Sequence, residues 1–280
     1  MGRGPIAVSA ARHPTTATWS VPAARTDARL HRVGFIVTHA AAGVLLFEVV
    51  RLAVAFVAWP ARVGVDYELH WTAAARWLSG GGFYLPQQFA GPYSIHLGVA
   101  QDLLYPPVIL WLLVPFLYLP AVLWWAVPIG LIAGSMIRLR PASWTWPVFA
   151  VLMLFPYSWQ QFLWGNPSIW VLAFASLGAA FGWPTVLVLL KPTLAPFALL
   201  GTNRRSWWVA LGVFALLCLP FGAMWLDWLR AAVINPTNGG VTYSLPYVPV
   251  MCVPLVAWLG STTKQPARAA ERFTWHRTRQ

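Results

Sequence analysis

Eight long apolar runs alternate with short polar intervals along the chain: Phe35–Val57, Tyr105–Leu119, Ala121–Ile137, Trp144–Trp159, Ile169–Trp183, Thr185–Leu200, Trp207–Trp225 and Leu245–Leu259. A helix needs about 20 apolar residues to cross the hydrocarbon core. Several of these runs are 15 to 17 residues long, so half-helices and tightly broken hairpins are expected among them. The 24 prolines point the same way, because a carbonyl freed by proline inside lipid must be satisfied by neighbouring protein or water. The pattern predicts an all-α polytopic membrane protein of about eight hydrophobic segments, spanning residues 33–260.

Composition agrees with the pattern. Hydrophobic residues make up 59% of the 280, charged residues only 9%, and mean hydropathy is +0.61; a soluble domain carries about 25% charged residues. Nineteen Trp and eight Tyr suit rings seated at membrane–water interfaces, and Trp124-Trp125 and Trp207-Trp208 read as such belt residues. The net charge of +12 is mostly terminal. Arg3, Arg12, Arg25, Arg29 and Arg32 precede the first run, and Lys264, Arg268, Arg272, Arg277 and Arg279 follow the last. Basic flanks mark the cytoplasmic side, so residues 1–32 and 261–280 are expected to be cytoplasmic tails near anionic lipid, the first disordered. Neither tail has the aromatic interleaving of a nucleic-acid binder, and no nucleic-acid partner is expected. The first 32 residues lack the apolar core of a cleaved signal peptide. Cys218 and Cys252 both lie inside apolar runs, which suits neither a disulfide framework nor a thiolate metal site.

Two tails on one side require an even number of crossings. Eight spans put Arg204 and Arg205 inside but Arg138 and Arg140 outside. Six crossings, with Tyr105–Ile137 as one broken crossing and Thr185–Leu200 re-entrant, put both basic clusters inside. Either way residues 60–104 lie outside the cytoplasm, as do residues 226–244. The first of these loops is too patterned for a linker: Leu69, Ala73, Arg76 and Trp77 recur at helical spacing over Asp66–Leu78, as in an interfacial amphipathic helix. Gly80-Gly81-Gly82 then supplies a helix stop. Long ordered loops are usually functional.

The polar residues near the boundaries are the candidates for chemistry. Asp66 is open to two readings, a helix N-cap or a general base at the exterior surface. Lys191 lies mid-run beside helix-breaking Pro192. A buried lysine faces a cavity or partner and suits phosphate, unless it snorkels from a short segment's end. Glu48 and Arg51, three apart on the first span, read as a self-pair that eases insertion. Gln160, Gln161 and Asn166 form either an interfacial turn or the polar lining of a site. His70 and His96 read as lone exposed histidines. No phosphate-loop, paired-cysteine or HExxH pattern is present, and neither a metal nor a cofactor is expected.

Taken in order, Asp66-Tyr67, AAARWLSGGGFYLP, LLYPPVILWLLVPFLYLP, WGNPSIWVLAFASLGAAFG and LLKPTLAPFALLGTNRRSWW resemble the glycosyltransferase family 87 membrane proteins of the GT-C superfamily, from Phe35 to roughly Trp208. Gly82-Phe83 stand where that family has an acidic-proline pair, and Asn166 where it has Gln. The resemblance implies transfer of a sugar, typically mannose, from a polyprenyl-monophosphate carrier to an extracytoplasmic glycan or glycolipid acceptor by single displacement. It makes Asp66 the catalytic base and matches Lys191, Tyr105 and Asn166 to donor phosphate and lipid binding. Tyr67, Arg76, Tyr84, Asp102 and Asp227 are the candidates for shaping the loop or the acceptor side. The polyprenyl-phosphate sugar is then donor substrate, with membrane lipid as a further partner. Two other readings stay open: a transporter or flippase of lipid-linked saccharides, and a truncated, non-catalytic subunit that binds carrier lipid.

Overall fold

The structure, a computed structural model, describes residues 23–89, 103–234 and 245–262. Among them it is all-helical: α1 (Ala23–Ala58), α2 (Val65–Leu78), α3 (Leu110–Leu113), α4 (Leu123–Leu139), α5 (Thr145–Met153), α6 (Pro156–Trp164), α7 (Ser168–Phe181), α8 (Arg205–Cys218), α9 (Met224–Trp228) and α10 (Val248–Leu259). Two 3-10 legs, Trp183–Leu190 and Pro192–Gly201, lie between α7 and α8. One helix, Arg32–Ala58, is long and apolar enough to cross a membrane. The number rises to three if the bent pairs Pro156–Trp164 with Ser168–Phe181 and Arg205–Phe221 with Met224–Ala232 each count as one span. The helix α1 begins at Ala23, inside the stretch expected to be a disordered tail; residues 1–22 and 263–280 of the tails, His96 and Asp102 lie outside the described residues.

The helices run between two ends of one bundle. At one end, the guanidinium of Arg138 on α4 lies 4.5 Å over the ring of Phe181 at the foot of α7. Arg204 donates through Nη1 to the Phe181 carbonyl at 2.7 Å. Ser261, just past α10, donates to Leu139 O at 2.8 Å, and the α1 residue Leu45 packs with Leu139, Ala179 and Ala257. The opposite end holds the start of α2 and the junction of α6 with α7, where the chain bends by 112°.

Two of the apolar runs are broken by their own sequence. In Tyr105–Leu119, prolines at 106, 107 and 115 leave only one-turn pieces, since each proline removes a helical donor and crowds the preceding turn. This segment stays at the α2 end: Tyr105 reaches Asn166, while Phe116 packs edge-on against Trp124 and Trp170 with centroids 5.0 and 5.4 Å away. The Thr185–Leu200 run is a hairpin. A Cβ on Gly201 would come within 2.4 Å of Gly182 O, so the two legs start and finish together at the arginine end, and their tip is Lys191. At 2.0 Å rise per residue, the ten residues Pro192–Gly201 place that tip about 20 Å from the arginines.

Candidate functional site

The hairpin tip meets the N-terminus of α7. Lys191 is fully buried, which removes the snorkelling reading, and its Nζ donates to Ser168 Oγ at 2.6 Å. The same ammonium lies 5.2 Å from the ring centre of Tyr105 and 4.3 Å from that of Tyr247, aromatic faces that attract a desolvated cation. Ser168 Oγ donates in turn to Asn166 Oδ1 at 2.6 Å, and Asn166 Nδ2 donates to Asp66 Oδ2 at 2.7 Å. Every donor in the series Lys191, Ser168, Asn166, Asp66 points from the ammonium toward the carboxylate. Tyr105 Oη, at 2.8 Å, and the Ser168 amide, at 2.9 Å, also donate to Asn166 Oδ1. Three donors on one atom identify it as the carbonyl and turn the amide nitrogen toward Asp66.

Local sequence explains why these side chains converge. Gly165 ends α6 in the left-handed conformation, φ +66°, and a Cβ there would meet Trp125 at 2.7 Å and Tyr67 at 2.9 Å. The indoles of Trp124 and Trp125 donate to Gly165 O and Phe162 O at 2.7 and 2.6 Å. The start of α2 is tied to the same turn, because Gly64 N donates to Leu163 O at 3.0 Å. Gly64, not Asp66, is the N-cap of α2, and no side chain caps it. The cap reading of Asp66 is therefore replaced: the residue lies in the first helical turn, where the helix dipole favours a carboxylate. Asp66 is partly exposed, and among the described residues no protein donor reaches its Oδ1.

His70, one turn on from Asp66, is buried and not exposed as expected. Its Nδ1 lies 2.6 Å from the backbone oxygen of Asp66. A carbonyl only accepts, so Nδ1 carries the proton and Nε2 is left as an acceptor with no partner among the described residues. Burial holds His70 below its ordinary value, against the opposing pull of the Asp66 carbonyl and carboxylate. Tyr84 is buried and donates to Tyr105 O at 2.8 Å; burial first, then the nearby Asp227 carboxylate, raises its phenol above the usual range. Arg76 donates to Gly82 O and Phe83 O, both at 2.7 Å, which closes the glycine turn onto α2. Tyr67 packs against Trp124 and Trp125.

The structure thus brings Asp66, Tyr105, Asn166 and Lys191 into one connected group and sets Tyr84 behind it. Tyr67, Arg76 and Asp227 lie around that group without a hydrogen bond to it. Sequence reasoning missed Ser168, although Asn-Pro-Ser at a helix start is a usable signal: Asn commonly accepts the N–H two residues on. It also assigned Trp124 and Trp207 to a membrane belt, whereas both are buried and donate to Gly165 O and Ala198 O. Glu48 and Arg51 form the expected ion pair. Among the described residues no cluster of three His, Cys, Asp or Glu is placed to hold a metal. In comparison with family models, curated proteins and solved structures, the chain matches none of them.

Proposed function

We propose that this protein is a membrane-embedded, GT-C-like glycosyltransferase that moves a sugar, typically mannose, from a polyprenyl-monophosphate carrier to an extracytoplasmic acceptor. The observation that carries the reading is the directed bridge from buried Lys191 to partly exposed Asp66. Direct displacement needs a base for the acceptor hydroxyl and positive charge near the departing phosphate, and these two groups supply both from opposite ends of one bridge. As the acceptor oxygen bonds to the anomeric carbon, the carbon–oxygen bond to phosphate breaks and the carrier leaves as the monophosphate. Oδ1 of Asp66 takes the hydroxyl proton while Asn166 holds Oδ2. The route calls on no metal or other cofactor.

The arrangement of the helices supports six membrane passes (α1, α4, α5 with α6, α7, α8 and α10) and one re-entrant hairpin. With the positive-inside rule, the shared end of Arg138 and Arg204 faces the cytoplasm and Asp66 the outside. A transporter or flippase of lipid-linked saccharides is the second reading, favoured by the buried lysine at a helix break, a common intramembrane substrate site. Membranes holding the protein and a labelled polyprenyl-phosphate mannose separate these readings. Label in a glycan or glycolipid supports the transferase; label crossing on intact carrier supports transport. Carrier bound with neither outcome supports a non-catalytic subunit.

A further inference from the structure

An apolar cavity of about 400 Å³ opens between the first hairpin leg and α8, with Trp183, Val186 and Leu187 on one wall and Val209, Val213 and Leu217 on the other. It lies away from the Asp66 bridge and independent of the transferase reading. Trp183, Val209 and Val213 are 47, 67 and 51% exposed, so the groove opens sideways onto the apolar outer surface, where hydrocarbon would lie in a membrane. From Ser206 to Leu217 it follows about 17 Å of helix at 1.5 Å per residue, close to half of a hydrocarbon core about 30 Å thick. That is about the length of one leaflet's acyl chain, laid along nearly the whole of α8.

The mouth of the groove is at the arginine end. Ser206 lines it directly after Arg204 and Arg205, which are both exposed. Arg138 stands over Phe181, two residues before Trp183. The acidic side chains described are elsewhere: Glu48 is paired with Arg51, Asp66 and Glu68 are on α2, and Asp227 is on α9. We propose that this groove binds one acyl chain of an anionic phospholipid from the leaflet at the arginine end, with the headgroup phosphate at Arg205. The length match selects a single acyl chain, and the positive charge, offset by no acidic side chain among the described residues, selects an anionic headgroup.

Native mass spectrometry of the full chain in detergent, given equal amounts of phosphatidylglycerol and phosphatidylcholine, tests this. One phosphatidylglycerol should stay bound, at least about fivefold over phosphatidylcholine, and Arg205→Ala should lower that preference about fivefold. Ala210→Phe, which fills the groove and leaves the arginines untouched, should abolish retention of both lipids. Equal retention of the two lipids overturns the proposal, as does lipid retained by Ala210→Phe. A dimer mass that Ala210→Phe removes would assign the groove to a second copy and overturn it too. Arg205 is on the surface, so its variant keeps the test decisive even if Ala210→Phe fails to fold.

Discussion

At one end of the bundle Lys191, Ser168, Asn166 and Asp66 sit in a fixed, largely buried series in which each donor has a defined acceptor. At the other end Arg138, Arg204 and Arg205 gather with less constraint: one lies over an aromatic ring, one reaches a backbone carbonyl at the surface, and one projects outward. The difference follows from what each environment charges for an unpaired polar group. A buried donor or acceptor left unpaired costs about 1–3 kcal/mol, so the inner series tolerates little change. Exposed arginines keep their hydration, and their effect is a field spread over the surface.

Substitutions should therefore act very differently at the two ends. Asn166→Leu leaves the Ser168 amide, the Ser168 hydroxyl and Tyr105 Oη without their shared acceptor. It should cost about 3 kcal/mol or more, seen as a fall of several degrees in melting temperature in detergent; no fall would show that the bridge does not hold the turn. Gly165→Ala introduces a Cβ into Trp125 and Tyr67 at a positive φ. It should destabilise by about 1–3 kcal/mol, with a change in tryptophan fluorescence as the two indoles shift.

His70 gives a smaller, pH-dependent effect. Burial depresses its folded-state value, so above about pH 6.5, the ordinary value, it is neutral in both folded and unfolded chains. As pH falls below that point the unfolded chain takes up a proton that the folded chain refuses. Stability is then lost progressively down to the folded value, by at most about 1.4 kcal/mol per pH unit. Melting temperatures at pH 7.5 and 5.5 should differ less in His70→Gln than in the natural chain. At the arginine end, Arg204→Ala should change stability by no more than about 0.5 kcal/mol, a shift of one or two degrees at most; a larger one would place Arg204 with the inner series.

Much of the inner series was legible in the sequence because this chain places so few polar residues in apolar surroundings. Asp66, Asn166 and Lys191 stood out for that reason, and α2 was expected from Asp66 and observed from Val65. What could not be read was partnership over long separations. Asn166 and Asp66 are 100 residues apart, and no local pattern announces their bond. Two tryptophans depart from the belt expectation: an indole reads as interfacial from composition, yet Trp124 and Trp207 bury their rings, and Trp124 donates across 41 residues to Gly165. The Tyr105–Leu119 run looked like a span by hydropathy, but its prolines prevent the continuous helix that a span requires.

If Asp66 takes the acceptor's proton, as proposed, Asp66→Asn removes that base and little else. Asparagine retains a carbonyl oxygen that can accept from Asn166 Nδ2, so the bridge and the fold should persist while basicity is lost. In membranes with saturating labelled polyprenyl-phosphate mannose, the variant should transfer sugar about 10²–10⁴-fold more slowly than the natural chain, with protein level and melting temperature nearly unchanged. Transfer at near-natural rate by a folded Asp66→Asn protein would contradict it.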